Sequence, residues 1–163
     1  MGPALDFRVV FAVVFPGAWA CAGSEHAHEV AAPVDAAQVD INGGGASVVE
    51  TKGGKYKISF ATDPSPIPLS RLFAVDSVVT DSAGVPVTEG SLGIDATMPH
   101  HGHGMSTRPE NMVGSCLPSG KCRHEGGKYR TEGMKFHMPG EWTVEFVVDG
   151  PAGTDSARVV LAI

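Results

Sequence analysis

Histidine and methionine crowd into one quarter of this 163-residue chain. Residues 98–138 hold His100, His101, His103, His124 and His137, five of the seven histidines, and Met98, Met105, Met112, Met134 and Met138, five of the six methionines. The two side chains together have a specific chemical meaning. Thioethers are soft ligands that favour Cu(I), and imidazole takes Cu(I), Cu(II) or Zn(II). Where thiols are consumed by oxidation, methionine stays available as a soft donor. Imidazole binds only when neutral, so affinity should fall below about pH 6.5. The local strings are Met98-Pro99-His100-His101-Gly102-His103-Gly104-Met105 and His137-Met138-Pro139-Gly140-Glu141-Trp142. His100, His101 and His103 are the leading metal candidates, because three histidines in four positions serve no obvious packing purpose. Met98, Met105, His137 and Met138 complete the set, provided that the two strings meet at one end of the fold.

Other roles compete for several of these residues. Met134 and Met138 alternate with Phe136, which suits core packing as well as ligation. Met98 fits either role, Met112 reads as loop packing and His124 as a surface histidine. Trp142 reads as core. No H-E-x-x-H helix, G-x-S-x-G elbow or phosphate-binding loop is present, and Glu141 and Glu145 read as solvated charges. A site rich in thioethers suits holding and passing copper better than hydrolysis, so no enzymatic activity is expected.

The elements that must position these residues are strands. Apolar residues make up 42% of the chain, enough for a core, whereas 21 glycines and 12 prolines favour turns and short strands. Tyr56, Ile58 and Phe60 alternate with Lys55, Lys57 and Ser59 in a period of two. Further strands are expected over Val48–Thr51, Leu72–Thr80, Leu92–Ala96, Lys128–Thr131, Met134–Met138, Trp142–Val148 and Ala157–Ile163. Pro64, Pro66 and Pro68 form an extended connector, Asp81-Ser82-Ala83-Gly84 a turn, and Pro139-Gly140 a type II turn. Residues 98–125 show no clear strand pattern, and no stretch keeps a helical period. About seven short strands in one domain predict an all-β fold, an immunoglobulin-like antiparallel β-sandwich spanning 47–163, with a small barrel as the alternative. The net charge of −6 argues against a nucleic-acid partner.

The N-terminus reads as an export signal. Arg8 precedes the apolar run Val9–Phe15, and Ala18-Trp19-Ala20 is a small-residue cleavage site. Residues 1–20 are therefore expected to be a signal peptide, too short in its apolar part to span a bilayer. Cleavage would place Cys21 first, as in a lipoprotein, with residues 21–46 as a flexible tether rich in alanine and glycine. Removing residues 1–20 takes away Asp6 and Arg8, so the charge stays at −6. The expected location is the periplasmic face of the cell envelope, with the membrane reached through lipidated Cys21. Cys116 and Cys122 remain as a pair. In an oxidising compartment a disulfide is the simplest reading, worth about 2 kcal/mol for so short a loop, with thiolate metal ligands as the rival.

Several stretches taken together are similar to the YtkA-like family of exported bacterial domains, which is related to the FixH group. They are the Pro-rich connector, Thr80-Asp81-Ser82-Ala83-Gly84-Val85-Pro86-Val87, the MPHHGHGM string, Gly127-Lys128-Tyr129 and Phe136-His137-Met138-Pro139-Gly140-Glu141-Trp142. The resemblance implies an exported β-sandwich, often membrane-tethered and sometimes associated with copper or oxidase maturation. The segment with Cys116 and Cys122 stands as a local elaboration. Three functions follow as expectations: a copper-binding, metallochaperone-like module with a copper acceptor; a non-metal module that binds a membrane protein; and a domain clipped by zinc through histidines and cysteines.

Overall fold

Alternation of apolar and polar side chains dictates strands that bury one face, and two such sheets bury each other. The computed structural model describes residues 37–38, 45–111, 114–116 and 122–163. The expected signal peptide, Cys21 and most of the expected tether lie outside the described residues.

Twelve strands occur among the described residues: β1 (Ala37–Gln38), β2 (Ser47–Glu50), β3 (Tyr56–Asp63), β4 (Phe73–Asp81), β5 (Ser91–Met98), β6 (His103–Gly104), β7 (Glu110–Asn111), β8 (Ser115–Cys116), β9 (Cys122–Arg123), β10 (Lys128–Met134), β11 (Glu141–Gly150) and β12 (Gly153–Ala162). One sheet has the order β1-β12-β11-β5-β6, the other β2-β3-β4-β10-β7, and β8 and β9 form a separate hairpin. All pairings are antiparallel except that of β1, which runs parallel to β12. The fold is the expected all-β sandwich, with two distinct sheets rather than a closed barrel. Seven strands of four residues or more carry it, as the alternation predicted.

The core lies between the sheets. Tyr56, Ile58, Phe60, Val79 and Tyr129 face Leu92, Trp142, Val144, Phe146, Val148 and Val159, all nearly inaccessible to solvent. Phe60 meets Phe146 across the interface with ring centroids 4.9 Å apart. Each such aromatic or branched side chain contributes about 1.5–3 kcal/mol on burial.

Polar contacts fix the sheets relative to each other at two places. The Tyr56 hydroxyl donates to the Gly153 carbonyl at 2.8 Å and accepts the Ala152 N–H at 3.0 Å. Burial pushes that phenol's pKa up. Beside it, the Asp155 carboxylate accepts from the Thr51 hydroxyl at 2.8 Å, the Gly53 N–H at 3.0 Å and the Lys55 N–H at 3.3 Å. This clasp binds the turn between β2 and β3 to β12. On the open side, the Thr131 hydroxyl donates to Asn111 Oδ1 at 2.7 Å, and Asn111 Nδ2 donates to the Leu92 carbonyl. Asn111 thus bridges β10 of one sheet to β5 of the other.

Three local expectations need correction. Residues 98–125 are not free of strands: β6 and β7 add an edge to each sheet, and β8 and β9 form the hairpin. Two-residue strands carry too little alternation to be read from sequence. The strand expected over Met134–Met138 is absent, because the ladder of β10 ends at Met134. The register slips between Thr131 and Met134 around Gly133, whose φ of +83° suits a bulge. His124 is buried at 3% exposure rather than on the surface, and its ring stacks on Tyr129 with centroids 3.9 Å apart.

Candidate functional site

The first histidine string grows out of β5. Leu92, Ile94, Ala96 and Met98 point inward, and Met98 is 1% exposed. Pro99 cannot extend the ladder, and Pro99–His101 form a single 3₁₀ turn. Gly102 then reverses the chain in the left-handed region (φ 63°, ψ 23°). The returning strand pairs His103 with Met98 and Gly104 with Thr97, and the Met105 N–H donates to the Ala96 carbonyl at 3.2 Å. Directly opposed residues share a face of the sheet. His103 and Met105 therefore sit on the inward face beside Met98 and Ala96, at the sheet's edge. Met105 packs against the core, whereas His103 is exposed. His100 and His101 are exposed on the turn itself. His100 Nε2 lies 4.0 Å from Glu141 Oε2, with both side chains about half exposed (52% and 53%), so the contact adds little stability.

The second string packs beneath the first. Phe136 stacks on Trp142 with centroids 4.6 Å apart and meets Phe73 edge-on at 5.1 Å. The Trp142 Nε1–H donates to the Met138 carbonyl at 3.0 Å, which fixes the indole and the 138–142 turn together. The His137 ring stands edge-on to Trp142 at 5.4 Å, and its Nδ1 is buried with no hydrogen-bond partner among the described residues. Gly140 has the positive φ expected of it, +124°. A Cβ placed there would lie 3.1 Å from Met98 Cε. Gly140 and Ile163 exchange backbone hydrogen bonds of 3.0 and 3.1 Å, which close this end of the sandwich. The Pro-rich connector reaches the same place: the Ser70 N–H donates to the Phe136 carbonyl at 2.7 Å and the Ser70 hydroxyl to the His137 carbonyl at 3.3 Å.

The two strings therefore share one end of the sandwich. A family model described as YtkA-like matches residues 50–147, a span that contains both strings and most of the two sheets. The chain belongs to the YtkA-like family. Members of this family are generally exported to the cell envelope, and the present chain is a YtkA-like β-sandwich module. No curated protein matches it. Among solved structures, the GAE domain of GGA2p from Saccharomyces cerevisiae aligns with a TM-score of 0.37 at 11% identity, covering 72% of this chain and 96% of that one.

Within this YtkA-like domain the expected ligands divide into two groups. His100 and His101 point to solvent from the turn. Met98, Met105 and Met138 contact the core, with His103 at its edge and His137 against Trp142. Met98 thus fills a packing role whatever else it does. Among the described residues, no three histidine, cysteine, aspartate or glutamate side chains converge so as to hold a metal ion. An all-imidazole or imidazole–carboxylate site is therefore not preassembled. The donors gathered at this end are thioethers with single imidazoles, a set that fits a soft ion.

The backbone places Cys116 directly opposite Cys122 in the β8–β9 hairpin. A cleft of about 540 Å³ lies elsewhere, between the edges of β2 and β12, lined by Val48, Val49, Glu50, Lys52, Ala157 and Arg158 among others, and includes none of the expected ligands. Sequence reasoning missed two neighbours of the site. Glu141 reads as a solvated charge until its place beside His100 is seen. Ser70, held at a φ of +60°, has no sequence signal to tie it to His137.

Proposed function

We propose that this YtkA-like domain is a copper-binding, metallochaperone-like module of the cell envelope. Its His/Met end takes up copper and hands it to an acceptor at the membrane. The observation that supports this reading is the meeting of the two strings: Met98 packs against Gly140, and His100 faces Glu141, across 42 and 41 residues of chain respectively. The thioethers of Met98, Met105 and Met138 and the imidazole of His137 are the donor types gathered at this end, and the exposed turn of His100, His101 and His103 is the way in and out. The reading is one of binding and transfer, with no catalytic step. A lipid on Cys21 tethers the domain, and Cys116 and Cys122 are joined as a disulfide. Directly opposed residues of an antiparallel pair have the Cβ separation, about 4.5–5.5 Å, from which such a bridge forms with little adjustment.

The test is a titration with Cu(I) under reducing conditions and with Cu(II) and Zn(II) in air, against a competing chelator. One tightly bound equivalent of copper is expected. No stoichiometric binding of copper would refute the reading. Intact-mass measurement with thiol alkylation reads the cysteine state; two free thiols in the exported protein would refute the disulfide.

One observation favours a second reading, a module that binds a membrane protein without metal. Leu69 and Leu72 are 45% and 63% exposed on the connector that Ser70 ties to His137. Exposed leucines at the same end would serve a protein partner as well as a metal acceptor. Crosslinking in intact cells, with and without copper, separates the two.

A further inference from the structure

The copper reading leaves open where the ion is held. The geometry points to an interior site: His137 Nδ1 with the thioethers of Met138 and Met98, against the indole of Trp142, selective for a soft monovalent cation. The exposed His100–His103 turn is then the approach to the site and not the site. This inference rests on the metal-binding reading given above and assigns its donors.

Three independent observations carry it. The first is His137 Nδ1, a buried ring nitrogen without a hydrogen-bond partner among the described residues. An unsatisfied buried polar atom costs about 1–3 kcal/mol, which a bound cation at its lone pair would offset. The second is Gly140. Its missing side chain leaves the space beside Met98 Cε that any Cβ would crowd at 3.1 Å, so the Met98 thioether keeps freedom to turn at the end of the core. Methionine, unbranched and polarisable, suits that movement. The third is Trp142. Its Nε1–H is committed to the Met138 carbonyl, Phe136 is stacked on it and His137 stands at its side, so the indole is held rigidly beside the donors. An indole face attracts a cation within about 6 Å.

The charge balance selects the ion. Met98 is 1% exposed and Trp142 fully buried, while His137 and Met138 are half-buried, and the ligating groups, one imidazole nitrogen and two thioethers, bring no negative charge to the ion. Burying an ion without a compensating carboxylate carries a solvation penalty that grows with the square of its charge, so a dication suffers about four times the penalty of a monocation. Thioether sulfur also prefers Cu(I) to Zn(II). Ag(I) has the charge and softness of Cu(I) and does not change oxidation state in air, which makes it the suitable probe.

Trp142 supplies the readout. The only other tryptophan is Trp19, in the expected signal peptide. The exported protein, carrying Trp19→Phe so that any unprocessed chain is silent, is titrated with Ag(I) and separately with Zn(II), with Trp142 emission and native mass recorded. The expected result is a change in emission complete at one equivalent of Ag(I) and none with Zn(II). His137→Gln and Met138→Leu should each weaken Ag(I) binding at least about tenfold, or about 1.4 kcal/mol. His101→Ala with His103→Ala should leave it within about threefold. Met138→Leu conserves volume at a partly buried position, so the fold persists and the loss is read against an unchanged melting temperature. Ag(I) binding that survives both interior variants and is lost in the turn variant would overturn the interior site while leaving metal binding intact. A wild-type protein that binds neither Ag(I) nor Cu(I) stoichiometrically would overturn both.

Discussion

Asp155 is the residue whose removal should most clearly loosen the sandwich at the end opposite the histidines. Burial by itself pushes its carboxyl up, but hydrogen bonds from Thr51, Gly53, Ser156 and Lys55 together outweigh burial and bring it down from 3.8 to about 2. At about 1.36 kcal/mol per tenfold, that difference corresponds to at most about 2 kcal/mol of folding stability at neutral pH. Solvent access at the turn reduces it to about 1–2 kcal/mol. For a domain of this size the equivalent shift in melting temperature is about 4–8 °C. Asp155→Asn keeps the shape but turns an NH2 toward backbone N–H donors, and should show this loss at pH 7. The folded-state pKa lies below the unfolded one, so the contribution is fully present above pH 3.8 and disappears as pH falls through about 2. The gap between wild type and variant, followed by urea unfolding from pH 7 downward, should hold steady to about pH 4 and close by about pH 2. A gap of the same size at pH 2 and pH 7 would refute the electrostatic account, and no gap at pH 7 would refute the clasp.

Other outcomes follow from the same contacts. Tyr56→Phe removes a hydroxyl that both donates to Gly153 and accepts from Ala152, and should lower unfolding stability by about 1–2 kcal/mol in a denaturant titration. Ser77 Oγ is buried with no hydrogen-bond partner among the described residues, so Ser77→Ala should leave the midpoint of urea unfolding unchanged or raise it by up to about 1 kcal/mol equivalent. Gly133→Ala forces a side chain into φ +83° and sets its Cβ 3.2 Å from the Arg108 carbonyl, and should cost about 1–3 kcal/mol, read as a lowered melting temperature.

Where alternation was long, the sequence revealed the fold. Tyr56-Ile58-Phe60 and Trp142-Val144-Phe146-Val148 each repeat with period two over enough residues to fix a face, and both faces are buried. Asp81 made its turn legible, because its carboxylate accepts the Ala83 and Val85 N–H groups within the loop itself. What stayed hidden depended on partners distant in the chain. His124 is buried because Tyr129 stacks on it and the backbone at Gly114 lies close against it, and neither leaves a local pattern. The alternation of Met134 and Phe136 continues the inward face after the hydrogen-bond ladder has stopped, so pattern alone extended the strand too far. At the His/Met end, the sequence offered the donor types but not their division. The same repeat of histidines that stood out by composition lies mainly on the outside of the turn, whereas the single His137 is the one set against the core.

The two-residue pairing of β1 with β12 gives the domain a direction. Ala37 lies beside Val159 and Gln38 beside Val160, both running toward the end where Ile163 meets Gly140. Over these two residues the chain runs from the side of the Asp155 clasp toward the histidines. A pull along β1 would load its pairing with β12 in shear, all at once, whereas a pull across the sheet would open it one residue after another. The edge of the sandwich therefore has a strong direction and a weak one.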